Sequence, residues 1–195
     1  HPSCCEARIW PEKIFPQALR IVLPDAYTTD AFYRYMPEEL ARHVMQTWRG
    51  ERHDSAAAES EAKKYIARCL QYDVDPLKKL YIFSDGLKHL KIIDLYLRFR
   101  EYMTMSFGWG TWLTHDFQDC HPNATDAFTH IPGVHLTWNE ALAGISLVCK
   151  VIAVNGTPAV KISNNPNKGT GSRDVLEYTK NVFGVGDQVA EEVSV

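Results

Sequence analysis

The chain has 195 residues, 45% of them hydrophobic and 11% aromatic, enough for one globular domain with a sizeable core. Net charge is −3, from 21 basic and 24 acidic residues, and no basic patch dominates, so nucleic acid is not an expected partner. No apolar run approaches the roughly 20 residues that a membrane span needs, so no membrane partner is expected either.

Five cysteines, Cys4, Cys5, Cys69, Cys120 and Cys149, form no C-x-x-C pair. Their odd count and scatter point to reduced thiols and a cytoplasmic location. The start, HPSCCEARIW, has no positive segment leading into an apolar one, so no secretory leader is expected. The chain opens on His1, and its first strand arrives without a preceding cap or turn. On this reading it is a fragment.

Residues 1–19 read as irregular, punctuated by Pro2, Pro11 and Pro16. Arg20 to Leu23 is predicted as a buried strand, stopped by Pro24-Asp25. Thr28 or Thr29 can cap a helix carrying Phe32 and Tyr35. Pro37 suits a helix start with Glu38 and Glu39 in the first turn, where the helix dipole favours acids. Leu40, Val44 and Trp48 then share one face. Arg49 to Ser55, RGERHDS, is a strand end or loop with four charges beside a hydroxyl. Ala56 to Tyr72 is predicted as a strong helix, with Ala62, Tyr65, Ile66, Cys69 and Leu70 on its apolar face.

Leu80 to Thr111 organises the rest. An apolar run, Leu80 to Phe83, ends in Ser84-Asp85-Gly86-Leu87. A helix follows to about Arg100, its buried face expected from Leu90, Ile93 and Leu97. A second run, Tyr102 to Phe107, ends in Gly108-Trp109-Gly110-Thr111. Strand, Gly turn, helix, strand, Gly turn is the pattern of a parallel βαβ unit, and such units are right-handed. Both turns therefore fall at the C-terminal edge of one sheet. Glycine lets backbone N–H groups approach a ligand, and two such turns side by side suit a phosphate group. In barrels of the (β/α)₈ kind phosphate commonly sits on the loops after the last two strands.

Beyond Thr111 the alternation stops. Residues 115–142 read as a long polar, aromatic and His-containing loop, either functional or a mobile insertion. Ile145 to Val154 and Pro158 to Ile162 flank Asn155-Gly156, a strong hairpin signal. After the loop Ser163 to Gly171, Ser172 is expected to cap a last helix with Val175, Tyr178, Val182 and Phe183 inside and Gly184 as its left-handed stop. The acidic tail from Asp187 is expected to fray.

Five segments carry a resemblance: LPDAYTTDAF at Leu23 to Phe32, RHDS at Arg52 to Ser55, FSDGL at Phe83 to Leu87, SFGWGT at Ser106 to Thr111, and VNGTPAVKISNNPNK at Val154 to Lys168. In this order and with these gaps, the stretch from about Ile21 to Gly184 resembles the C-terminal half of a nicotinate phosphoribosyltransferase. The resemblance implies an α/β fold: a partial irregular α/β barrel of the type II phosphoribosyltransferase kind, followed by a β-hairpin and a C-terminal helix. Residues 1–114 would then be the C-terminal half of the barrel, 115–142 a loop insertion, and 143–195 the hairpin and helix returning to a second domain.

The same resemblance implies an NAD-biosynthetic enzyme that joins nicotinate to phosphoribosyl pyrophosphate and releases pyrophosphate, with magnesium and with ATP as co-substrate through a phosphorylated histidine. A homodimer is the assembly considered. Arg52 and Asp54 carry over as catalytic residues, Arg52 toward nicotinate or the pyrophosphate substrate and Asp54 toward the ribose hydroxyls or magnesium. Ser55, Ser84, Asp85, Gly86, Leu87, Gly108, Gly110 and Thr111 carry over as substrate and phosphate contacts, through backbone N–H groups and the Ser and Thr hydroxyls. The bland alternatives are plain turns for the glycines, a strand-end salt bridge for Arg52, and a ribose contact or helix cap for Asp85.

Two departures from the family pattern stand out. The family's N-terminal half, with its phosphorylated histidine, has no counterpart here. Where the family reads R-x-D-S-G-D-P, this chain has Arg52-His53-Asp54-Ser55-Ala56-Ala57-Ala58. His53 is expected to support its neighbours rather than to catalyse. His115, Asp116, Asp119, Cys120, His121, His130 and His135 gather in one stretch, but their spacing matches no zinc pattern, and no protein-held metal is expected. Asn123-Ala124-Thr125 is a glycosylation sequon, without consequence for a cytoplasmic chain. The competing readings are a non-catalytic phosphosugar-binding remnant and a nicotinamide-type phosphoribosyltransferase.

Overall fold

Short apolar runs between amphipathic helices lead to a parallel sheet, because parallel neighbours need a crossover and a helix is the usual one. The computed structural model describes residues 12–128, 131–133, 135–165 and 168–185. Cys4, Cys5, His130 and the acidic tail lie outside the described residues. Four strands form one sheet in the order β1-β2-β3-β4: β1 is Ile21–Val22, β2 Gly50–Arg52, β3 Leu80–Phe83 and β4 Thr104–Phe107. Every pairing is parallel, with Val22 opposite Glu51, Arg52 opposite Ile82, and Phe83 opposite Phe107.

The crossovers are α1 (Thr29–Tyr35) with α2 (Glu38–Thr47), then α3 (Ala58–Gln71), then α4 (His89–Phe99). Thr28 caps α1 by accepting the Ala31 amide, and Pro37 stands at the start of α2, ahead of Glu38 and Glu39. Leu40, Val44 and Trp48 are buried together, as their spacing implies. They join Val22, Ala62, Tyr65, Cys69, Tyr81, Phe83, Leu95 and Phe99 in one core. Gly50 is needed where β2 meets β3: a Cβ there would stand 1.7 Å from the Leu80 carbonyl oxygen.

One polar group is locked inside this core. Glu51, on the helix side of β2, pairs with Arg68 of α3 at 3.2 Å and accepts a short hydrogen bond from Tyr33 of α1. The side chains are only 2% and 13% exposed, and the Arg68 guanidinium also lies 4.1 Å over the Tyr33 ring. Burial pushes the Glu51 carboxyl up from its ordinary range, with Arg68 acting against the shift.

The structure departs from the periodicity in several places. Leu90, Ile93 and Leu97 are exposed, and α4 packs through Leu95 and Phe99 instead. The helix has two apolar stripes, and spacing alone does not say which meets the sheet. Leu70 is exposed although its neighbours on α3 are buried. α5 (Thr111–Thr114) leads into residues 115–142, which contain their own elements: an antiparallel pair, β5 (Ala127–Phe128) with β6 (Leu136–Thr137), and a turn of helix, α6 (Trp138–Ala141), held by a capping box of Thr137 and Glu140.

At Asn155-Gly156 the backbone turns left-handed at both residues and joins β7 (Ala153–Val154) to β8 (Thr157–Pro158). Each strand has two residues, so the longer strand expected over Ile145 to Val154 is not formed, and Ile145, Leu147 and Val148 are exposed. The last helix, α7 (Arg173–Phe183), ends at left-handed Gly184. Ser172 makes no side-chain cap, and Tyr178 and Val182 are exposed. Phe183 anchors it instead, stacked on Tyr27 at 4.5 Å and edge-on to Tyr35 at 5.5 Å.

Candidate functional site

In a parallel sheet all strands end at one edge, and ligands bind in the crevice outside those ends. Here that edge gathers Asp25 after β1, His53-Asp54-Ser55 after β2, Ser84 to Leu87 after β3, and Gly108 to Thr111 after β4. Seven described non-glycine residues have left-handed backbone. Four belong to this edge or to the loop packed on it: Thr28, Ser55, Asp85 and Ser163. Such conformations are costly for L-residues and cluster at functional sites.

The loop is the segment after β8. The Ile162 amide donates to the Ala26 carbonyl at 2.8 Å, and Asn164 both accepts from the Thr29 amide and donates to the Thr29 hydroxyl, each at 2.7 Å. Lys161 is carried to the edge by this docking. Its Nζ lies 2.7 Å from Asp25 Oδ2 and 3.8 Å from Asp54 Oδ2. Asp54 Oδ1 is 3.9 Å from Arg52 Nη2. Arg52, Asp54, Lys161 and Asp25 thus form an alternating chain of charge across the ends of β1 and β2. Asp25 is fully buried, whereas the Arg52 side chain is 46% exposed and accessible to a ligand. Lys168 makes a close ion pair with Asp85 at the end of β3.

Arg52 Nε also donates to Ser84 Oγ at 3.2 Å, and Ser84 Oγ donates its one hydrogen to the His53 carbonyl. That hydrogen is therefore engaged by the chain's own backbone. His53 is buried, with Nε2 2.9 Å from the Ala56 carbonyl oxygen and Nδ1 3.2 Å from that of Ser84. It braces the strand ends. Burial pulls its imidazole below the ordinary value, and the two carbonyls act in the opposite direction.

The two glycine turns are adjacent. The Gly108 amide donates to the Phe83 carbonyl at 2.8 Å, and a Cβ on Gly108 would come within 3.3 Å of Ser84 Cβ. Gly110 opens α5 with free space around it. Asp85 and Gly86 are both left-handed, which turns the backbone sharply at the end of β3. Asp85 caps no helix: α4 begins at His89, preceded by Lys88. The side chains of Leu87 and Ser55 are buried, so Leu87 offers a ligand only its backbone.

The motif residues Arg52, Asp54, Ser84, Asp85, Gly108 and Gly110 thus come to one edge. Spacing missed Asp25, Lys161 and Lys168. Their signal is a charged residue at a strand end, Asp25, and a lysine set between Val160 and Ile162. Which carboxylates Lys161 and Lys168 meet depends on a loop more than 75 positions from β3 in sequence. Among the described residues no group of three or more His, Cys, Asp or Glu is placed to hold a metal ion. His121 stacks on Trp138 with ring centroids 4.2 Å apart.

A parallel sheet with crossover helices defines an α/β protein of the kind whose ligands bind at the C-terminal strand ends. The chain belongs to the nicotinate phosphoribosyltransferase (NAPRTase) family, whose model matches residues 8–187. It is similar to the crystal structure of nicotinate phosphoribosyltransferase from Vibrio cholerae, with 31% identity and a TM-score of 0.73 over 93% of this chain and 39% of that one. It is also similar to the enzyme of that name from Porphyromonas gingivalis, with 27% identity and a TM-score of 0.66 over 93% of this chain and 42% of the other. A Saccharomyces cerevisiae structure at 22% identity, covering 93% of this chain and 40% of that one with a TM-score of 0.69, shows the shared fold alone. The chain therefore spans 39–42% of the length of these proteins. Among the described residues no helix is long and apolar enough to cross a membrane.

Proposed function

We propose that this chain supplies the phosphoribosyl-binding part of a nicotinate phosphoribosyltransferase, which forms nicotinate mononucleotide from nicotinate and phosphoribosyl pyrophosphate in the cytoplasm. The observation that carries this reading is the meeting of Arg52, Asp54, Lys161 and two glycine turns on one sheet edge. The backbone of Asp85, Gly86, Leu87, Gly108 and Gly110, with the Thr111 hydroxyl, would hold the 5′-phosphate. Arg52 would face the diphosphate or the nicotinate carboxylate, where a planar cation can make two parallel contacts. Lys161 would share its charge between Asp54 and the ligand.

Displacement of pyrophosphate builds positive charge at the anomeric carbon and negative charge on the leaving group. Positioning and charge stabilisation then dominate catalysis. Asp25 and Asp54 are too few for a metal cage of their own, which fits a magnesium ion held mainly by substrate phosphates. Magnesium would neutralise the diphosphate; Asp54 is the residue here exposed enough to reach it. The partial-barrel reading is supported by a parallel sheet carrying its helices on one face, since parallel sheets are ordinarily covered on both. ATP coupling and a homodimer belong to the proposal for the longer protein.

The test is calorimetric titration of the chain with phosphoribosyl pyrophosphate and magnesium, beside an assay for nicotinate mononucleotide. Binding without turnover is the expected outcome for the chain alone, with turnover restored when the remaining length of the family is supplied. Nicotinamide in place of nicotinate separates the runner-up substrate. Absence of binding overturns the reading. Binding that never yields product in the longer protein favours the non-catalytic remnant, which the 39–42% span of its relatives keeps in view.

A further inference from the structure

Lysines at the sheet edge fall into two kinds. Lys161 and Lys168 are each neutralised by a carboxylate, Asp25 and Asp85. Lys88 is different. It follows directly on the turn Ser84 to Leu87, and its Nζ lies 3.7 Å above the ring of Trp112, which follows directly on the turn Gly108 to Thr111. Among the described residues it makes no ion pair with a carboxylate. The contact therefore ties the two glycine turns together through side chains, in addition to the backbone hydrogen bond from Gly108 to Phe83.

An ammonium on an indole face gives up one side to the ring and keeps hydrogen-bond donors for another ligand, because the quadrupole attracts the cation without neutralising it. The seat also removes rotamer freedom that a free lysine would lose on binding. A pre-positioned, uncompensated positive charge spanning two glycine turns suits an anion between them. We propose that Lys88, seated on Trp112, is a positioning residue that fixes the spacing of the two turns and presents its ammonium to a phosphate group held there. This rests on the phosphate reading of the preceding subsection.

The experiment is titration of the chain with inorganic phosphate at several salt concentrations, comparing wild type, Lys88→Met, Lys88→Arg and Trp112→Leu, with a melting curve for each. Lys88→Met should weaken binding about tenfold, the effect of one charge-assisted contact, and flatten the salt dependence. Lys88→Arg keeps both the charge and the ring contact, so it should restore most of the affinity. Trp112→Leu should weaken binding less than Lys88→Met, because the charge survives and only its seat is lost. All four proteins should melt at nearly the same temperature, since an exposed cation–π contact contributes little to stability. If wild type binds and Lys88→Met binds equally well, this inference is overturned and the phosphate reading stands. If wild type itself binds no phosphate, both fall.

Discussion

Glu51 and Arg52 are consecutive residues of β2, and their side chains belong to two different regions. Glu51 enters the helix-covered side of the sheet, where Arg68 and Tyr33 hold it away from water. Arg52 belongs to the strand-end edge, where Asp54 stands at 3.9 Å and nearly half of the arginine side chain meets solvent. Both regions are made of the same chemistry, carboxylate and guanidinium. Burial makes one a structural lock and leaves the other exchangeable with a ligand. A buried pair is costly to break, because removing one partner strands the other without water. A pair open to solvent is worth about 0–1 kcal/mol, so an incoming anion can displace it at little cost.

The largest effect should come from breaking the lock. Arg68→Met should cost about 3–5 kcal/mol of stability, read as a lower denaturant midpoint, because it leaves Glu51 buried without its counter-charge. A variant as stable as wild type would mean that the pair is wet and that the contrast between the two regions is false.

Arg52→Ala should do the reverse. Affinity for phosphoribosyl pyrophosphate should drop at least tenfold, corresponding to about 1.5–3 kcal/mol for a lost charge-assisted contact, with the melting temperature nearly unchanged. Arg52→Lys should recover only part of the loss, since an ammonium lacks the planar two-pronged contact. Full affinity in Arg52→Ala would make Arg52 a strand-end salt-bridge residue and nothing more.

Tyr33→Phe removes one hydrogen bond from Glu51 and leaves Arg68 in place. It should cost about 1–2 kcal/mol, less than Arg68→Met, and leave pyrophosphate affinity untouched. A change in ligand affinity without a change in stability would show that the two faces of β2 are coupled.

The smallest effect is one of pH and concerns His53, which lies between the two regions. Burial holds its folded-state value below the ordinary 6.5, so the unfolded chain takes up a proton that the folded chain resists. Its contribution is therefore complete above that ordinary value and is lost as pH falls through the depressed one. Each unit of depression is worth about 1.4 kcal/mol. Urea midpoints should fall between about pH 7 and pH 5, and His53→Gln should flatten that part of the profile. An identical slope in the variant would assign the loss to other groups.

Local signals located much of this in advance. Three apolar runs, Arg20 to Leu23, Leu80 to Phe83 and Tyr102 to Phe107, with amphipathic helices between them implied parallel strands, whereas the charged β2 read only as a strand end or loop; Ser84-Asp85-Gly86 and Gly108-Trp109-Gly110 marked where β3 and β4 end. They are legible because strand ends, glycine turns and helix starts depend on residues within a few positions. The packing faces were harder. Leu90, Ile93 and Leu97 keep helical spacing yet face outward, since α4 offers two apolar stripes and only the neighbouring sheet selects one.

By itself, then, the sequence determined most of the strand and helix alternation up to Phe107, the two glycine turns and the family markers, all of which rest on short-range stereochemistry. The tertiary structure alone decided that Lys161 meets Asp25 and Asp54, that Glu51 is locked by Arg68, and that Lys88 sits on Trp112. The strength of a charge pair depends on its partner, distance and exposure to water, and the folded chain sets all three.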